Sequence, residues 1–495
     1  MTDQSVFPDP TYRDTVLAPL FDGVKAHYAG HMAAINRAHL VMLAETGILA
    51  VGDAGAIAGA LRDVDAEVNL DALRYTGEFE DYFFLVEAEL KRRLGDLGGA
   101  LHTARSRNDM DHTLFKLALR GRVSVLLGQA LTLTEALIAK AEAEKATLIV
   151  AYTHGQPAQP TTWGHYLGAV IEVLLRDIAR LNAAADGLEH CPMGAAAITT
   201  SGFPIDRARV AELLGFEGPL VNSYGCIASV DYVTGLYSAM KLMFLHLGRV
   251  IQDMQFWTAF EVGQLYVPNS LVQISSIMPQ KRNPVPIEHL RHLASATVAQ
   301  CDTIVGVMQN TPFTDMNDSE GEVQQLGYAA FERGARVLQL LTVLIPACRV
   351  NADRVRRTTD AACITITELA DTLVRDEGLT FRAAHEVAAM TAKAVIAEGA
   401  ALGDGYAAFS TAFEALTGRA PGLVEAAFRT AVAPETFVAR RDRIGGPAEA
   451  ALREALAGYA AEAEAARAAC ALRKTRHETA EQRLKSAFDA LLVKD

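Results

Sequence analysis

The chain has 495 residues, of which 50% are hydrophobic and 21% charged, and its formal net charge is -13. That composition belongs to a globular chain with a large core and excludes disordered and fibrous classes. The acidic balance, without a basic arm or stripe, excludes nucleic acid as a partner, because phosphate binding needs a cationic face.

Met1 to Pro10 contains no cationic segment followed by an apolar run, and no later stretch reads as about 18 uninterrupted apolar residues, so no membrane association is expected. The six cysteines (Cys191, Cys226, Cys301, Cys348, Cys363 and Cys470) form no CxxC pair. They read as buried reduced thiols, with no metal knuckle and no disulfide framework. The expectation is a soluble cytoplasmic protein.

From Tyr12 to about Gly99, short helical patterns are broken by Gly and Pro, with amphipathic runs from Ala34 to Leu49 and from Glu80 to Leu94. The chain then carries no proline from Met110 to Val150, which at ~1.5 Å per residue is a very long helix or two end to end. Comparable stretches run from Thr161 to Leu188, Asp231 to Gly263, Pro284 to Gln309 and Ser319 to Ile345. Apolar residues on more than one face of these segments call for cover from other chains. A third region follows Pro346, and its tail from Ala448 to Asp495 reads as a solvated amphipathic helix. The expected fold is all-α: three helical regions (1–109, 110–360 and 361–495) around a central long-helix bundle that tetramerises.

Three stretches and one further acid carry candidate chemistry. Leu101 to Asp109 sets Ser106, Arg107 and Asn108 just before a long helix, which suits charge-assisted binding of carboxylates. Tyr152 to Pro160 sets Thr153, His154 and Gln156 in a proline-bounded turn. A histidine there can exchange protons near neutral pH, although a lone His is more often structural. Ile274 to Pro284 packs Ser275, Ser276, Met278, Lys281 and Asn283 into a loop that feeds a helix N-terminus. Free backbone donors and the positive dipole end there would hold carboxylate or enolate charge. Glu288 lies on that helix and by itself reads as a surface acid.

These blocks together resemble the fumarase and aspartase superfamily, and Met278-Pro279-Gln280-Lys281 looks most like its argininosuccinate lyase branch. Met193-Gly194-Ala195, Phe203 to Arg207, Asn222-Ser223, Leu369 to Asp371 and Arg382 to Glu386 extend the resemblance over most of the chain. Departures include Ile274 and Ala104 in place of Gly, and Gly155 and Pro157 in place of Leu and Arg.

The resemblance implies a homotetramer whose active sites are shared between subunits, a small-molecule substrate, and no metal or organic cofactor. It implies Ser275 as the base, with Lys281 favouring its alkoxide, and His154 as the group serving the leaving nitrogen, paired with Glu288. Ser106, Arg107, Asn108, Thr153, Gln156, Ser276, Met278 and Asn283 would hold the succinyl part. On the arginine side, Met32 and Asn36 stand where an Asp and a Ser are usual. Likewise, Asp315, Glu320 and Val323 stand where Tyr, Gln and Lys are usual, and Ser229-Val230-Asp231 replaces an Asp-Arg-Asp triplet. The expected activity is therefore elimination of an amine from an N-substituted aspartate with release of fumarate, on an aminopolycarboxylate such as ethylenediamine disuccinate, with Asp315 and Glu320 receiving a second amine. The alternatives are argininosuccinate cleavage and an inactive, crystallin-like relative.

Overall fold

The computed structural model describes residues 6–493. The N-terminal part holds α1 (Ala18–His27), α2 (Ala29–Glu45), α3 (Val51–Glu67) and α4 (Tyr82–Leu94). The centre holds α5 (Arg107–Ala143), α6 (Trp163–Asp186), α7 (Asp231–Thr258), α8 (Val285–Val307) and α9 (Gly321–Ala347). After these come α10 (Ile366–Glu377), α11 (Phe381–Glu398), α12 (Tyr406–Thr417) and the tail helix α13 (Glu449–Leu492). The fold is all-α, with a few short two-stranded ribbons.

Local chemistry fixes the helix ends. Ser106 opens α5 with a capping box completed by Asp109, and Thr162 opens α6 by accepting the His165 N–H at 3.0 Å. Pro284 precedes α8 and Pro286 sits in its first turn, where a missing N–H costs nothing. The expected long segments and the observed helices differ by a few residues at their ends. Pro346 lies inside the last turn of α9, which runs on to Ala347.

The five central helices pack α5 on α6 and α9, α7 on α6 and α8, and α8 on α9. Their core includes Leu119, Leu127, Leu167, Met240, Phe244, Leu290 and Leu338, all fully buried. Gly327 permits one close crossing, because a Cβ there would stand 2.0 Å from the Tyr237 hydroxyl of α7. The membrane expectation needs one amendment: α5 is long and apolar enough to cross a membrane by length and composition. Here its apolar residues fill the bundle core instead.

A separate core around Leu369, Leu373, Val387, Phe409 and Phe413 holds α10 to α12 together. The tail helix does not join it. α13 runs back along α5, α6, α2 and α3 and buries Leu452, Leu456, Leu484, Phe488 and Leu491 in the main core, leaving its opposite face in solvent.

Glu189 ties the tail down. It is 1% exposed, and its carboxylate takes Arg120 at 3.0 Å, Arg476 at 2.6 Å and His477 at 3.0 Å. Burial alone would raise its pKa, but His477, Arg120 and Arg476 together hold it down at about 2. A depressed carboxylate stabilises the fold above its unfolded pKa of about 4.3, and that stability is lost as pH falls through the folded value. Denaturant unfolding should therefore show about 3 kcal/mol disappearing between pH ~4.5 and ~2. Glu189→Gln should remove a similar amount at neutral pH and flatten this acid limb; a parallel limb in the variant would contradict the assignment.

Candidate active site

The best-formed part of the site is the N-terminus of α5. Asp109 is fully buried and accepts three backbone N–H groups, from Ser106 at 3.0 Å, Gly194 at 2.8 Å and Ala196 at 2.9 Å. One carboxylate thus closes the helix cap and pins the 193–196 turn against it. Burial pushes this carboxyl up to about 6, and the backbone donors oppose the shift. Gly194 has φ +83, and a Cβ there would lie 2.5 Å from Arg207 Cγ. Ala104, where the resemblance has Gly, does adopt a left-handed φ of 62. The segment is held in that form by His39, whose Nε2 is 2.9 Å from the Thr103 carbonyl, and by Arg105, which donates to Asn36 at 2.8 Å.

Arg107 and Asn108 face a cavity of about 310 Å³ that Met32, Asp111, Asp315 and Glu320 also line. Arg107 donates to Asp81 at 2.7 Å and Glu80 at 2.9 Å. Burial would lower its pKa, yet those two carboxylates hold it above its ordinary value. Ser106 donates to Asn108 Oδ1 at 3.0 Å, and Asn108 Nδ2 donates to the Ala197 carbonyl at 3.1 Å.

The rest of the charged lining is acidic. Asp111 and Glu320 are both pushed up, first by burial and then by the carboxylates around them. Glu320 caps α9, and its side chain is 15% exposed, so it turns into the cavity and not into solvent at the helix start. Such a cavity offers one guanidinium and helix-cap groups together with an excess of carboxylates.

The other two motifs lie elsewhere. Strands β3 (Gln273–Ile274) and β4 (Arg282–Asn283) pair antiparallel and hold residues 275–281 as a hairpin loop. Ser275 is half-buried, and its Oγ accepts the N–H groups of Ile277 at 3.4 Å and Met278 at 3.1 Å. Two donors on that oxygen favour its deprotonated form. Ser276, Met278 and Lys281 are exposed, Asn283 is half-buried in β4, and Glu288 stands exposed in the first turn of α8.

The third motif tips the hairpin formed by β1 (Leu148–Thr153) and β2 (Gln156–Thr162). His154 has φ 54 and Gly155 φ 73, the left-handed pair of a tight two-residue turn. Thr153, His154 and Gln156 are exposed there, and the hairpin base is anchored where Val150 N–H meets Gln264 Oε1 at 2.8 Å. Neither Ser275, Lys281, Glu288 nor His154 lines the Arg107 cavity. One chain brings together only Arg107, Asn108, Asp315 and Glu320 of the expected set.

Residues 25–298 match the lyase family, and residues 363–439 match the argininosuccinate lyase C-terminal family. Over 493 residues, 99% of this chain and 98% of the relative, it is 60% identical to argininosuccinate lyase 2 of Agrobacterium fabrum. The chain belongs to the lyase family, in its argininosuccinate lyase branch. It is a carbon-nitrogen lyase. It is also 35% identical to the argininosuccinate lyase of Thermus thermophilus, over 85% of this chain and 90% of that one. Among solved structures, an EDDS lyase variant with bound fumarate superposes with a TM-score of 0.87 at 28% identity, covering 98% of this chain and 96% of that one.

The expectation of an aminopolycarboxylate substrate such as ethylenediamine disuccinate is thereby corrected. A full-length relative at 60% identity is an argininosuccinate lyase, and it outweighs an EDDS lyase at 28%. The physical reason lies in the cavity of this lyase. Position by position, Met32, Asn36, Asp315, Glu320 and Val323 read as a loss of arginine-side groups. In the folded chain Asp111 joins Asp315 and Glu320 from a different helix, and acids accept hydrogen bonds from a guanidinium as readily as from an ammonium, so the changed residue types do not distinguish the two leaving groups.

Asp109, Asp111 and His112 are missing from the sequence-derived site, although helical spacing carries a signal for two of them. Asp111 and His112 follow Arg107 and Asn108 by four residues and so share their face of α5. Asp109→Ala should leave three backbone donors without acceptors and cost about 1–3 kcal/mol in denaturant unfolding. An unchanged midpoint would mean that water replaces the carboxylate.

Proposed function

We propose that this lyase splits argininosuccinate into arginine and fumarate. The carrying observation is 60% identity along 99% of the chain to argininosuccinate lyase 2 of Agrobacterium fabrum. The charged lining of the cavity supports the same reading. Arg107, Asn108 and the α5 cap suit the succinyl carboxylates, while Asp111, Asp315 and Glu320 suit the cationic arginine end.

In the proposed elimination, Ser275 Oγ takes the proton from the carbon beside the second carboxylate. That carboxylate holds the charge as an aci-carboxylate until the carbon-nitrogen bond breaks. The bonding pair leaves with the nitrogen, which receives a proton with the help of His154, oriented by Glu288. The two backbone donors on Ser275 Oγ, the Lys281 ammonium and the α8 N-terminus favour the alkoxide. Thr153, Gln156, Ser276, Met278 and Asn283 would complete the grip on the succinyl part.

We further infer a homotetramer with each site built from several subunits, in the cytoplasm, where six free cysteines are at home. In support, Leu242, Leu245, Leu326 and Val343 are exposed on the bundle helices, as are Ile274 and Ile277 beside the signature loop. The separation of the Ser275, His154 and Arg107 motifs within one chain points the same way.

The purified protein should release fumarate and arginine from argininosuccinate, and failure to do so would overturn the proposal. Ser275→Ala should lower turnover by about 10²–10⁴-fold with assembly intact. Mixed oligomers of Ser275→Ala and His154→Asn subunits should recover activity above either parent; no recovery, or a stable active monomer by light scattering, would remove the shared-site arrangement. Glu320→Gln should raise KM for argininosuccinate roughly tenfold or more, from about 1.5–3 kcal/mol of charge-assisted binding, with a smaller effect on kcat.

A further inference from the structure

His112 is 1% exposed, and its Nδ1 lies 3.2 Å from the Tyr232 hydroxyl. Its Nε2 has no hydrogen-bond partner and points towards Glu320, whose Oε1 is 4.0 Å away. Glu320 Oε1 and Asp315 Oδ1 are likewise buried without a donor. These three side chains offer ligand atoms that all lie within 4.8 Å of one another.

We propose that His112 Nε2, Asp315 and Glu320 form a site for a divalent first-row transition ion such as Zn²⁺, Co²⁺ or Mn²⁺. An imidazole nitrogen with two carboxylate oxygens is a common donor set for these ions, with bonds of about 2.0–2.2 Å reached here by a small inward movement. With His112 in its Nδ1–H form, these are three acceptors turned towards one point, and they are not served by one water, which has two hydrogens, nor by a proton shared between the two acids, which leaves His112 alone. A cation serves all three at once. The Tyr232 hydroxyl oxygen can accept from Nδ1–H, the tautomer that a metal at Nε2 requires, and in that form the Nε2 lone pair is directed at the acids. Three protein ligands leave coordination positions open towards the Arg107 cavity.

On the catalytic reading above, the ion and the cationic end of the substrate compete for Asp315 and Glu320, so turnover should fall as the site fills. Binding itself is measured on substrate-free enzyme, so a failure of the catalytic reading does not affect it. His289 and His292 form an exposed pair 3.2 Å apart and give a background site, which the double substitution His289→Gln with His292→Gln removes.

In that background, chelator-stripped full-length enzyme should bind one equivalent of Co²⁺ per chain at micromolar concentration, with the visible absorption of a low-coordinate ion, and Zn²⁺ should displace it. Glu320→Gln and Asp315→Asn should each lose that equivalent while circular dichroism reports unchanged helix content. His112→Gln should do the same where it folds, and the two acid variants decide the matter where it does not. No saturable binding at millimolar Co²⁺, or equal stoichiometry in parent and acid variants, would overturn the site.

Discussion

The buried carboxylate of Asp109 is the contact on which the cavity end of the bundle depends. A helix as long as α5 would present four unsatisfied N–H groups at its start, and its direction alone would not fix the side chains there. Asp109 accepts from the chain before the helix and from a turn 85 residues later, so cap, turn and helix are aligned by one group. Arg107 and Asn108 owe their aim into the cavity to that alignment. Burying a carboxylate is costly, and the three backbone donors are what make it tolerable.

The charge in the cavity is unbalanced. Arg107 is already engaged by Glu80 and Asp81, so it is a held guanidinium and not a free one. Asp111, Asp315 and Glu320 crowd negative charge into the same partly closed space, where burial and neighbouring carboxylates raise the cost of ionising Asp111 and Glu320. With Glu80 and Asp81 beside Arg107 and three further acids in the same cavity, carboxylates outnumber the one guanidinium there.

The signature loop and the His154 hairpin show the opposite character. Both are exposed, both are held at the base by short strand pairs, and the hydrogen bonds at Ser275 Oγ stay within its own loop. Such loops are shaped in advance but lack a wall on one side. The bundle helices that flank them expose leucines and valines to solvent.

Much of this was legible in the chain because it is local. Helix length follows from proline placement and apolar spacing, caps follow from Ser106, Thr162 and Pro284, and the three polar blocks are contiguous, so their resemblance to a lyase branch can be read directly. The positive φ at Ala104 and His154 is local too, and the glycine usual at the first of these already hinted at it. What the sequence left open depends on distance in the chain. The docking of α13 rests on Glu189 meeting Arg120, Arg476 and His477, and no periodicity links those positions. Asp111 and His112 gain meaning only when α9 lays Asp315 and Glu320 against them, some 200 residues later in the chain. The substrate was misread because the acids at Asp315 and Glu320 suit an ammonium and a guanidinium alike, and the 60% identical relative decides against the aminopolycarboxylate reading. Charge in a cavity is a sum over elements that the fold brings together, and a sequence compared one position at a time does not contain that sum.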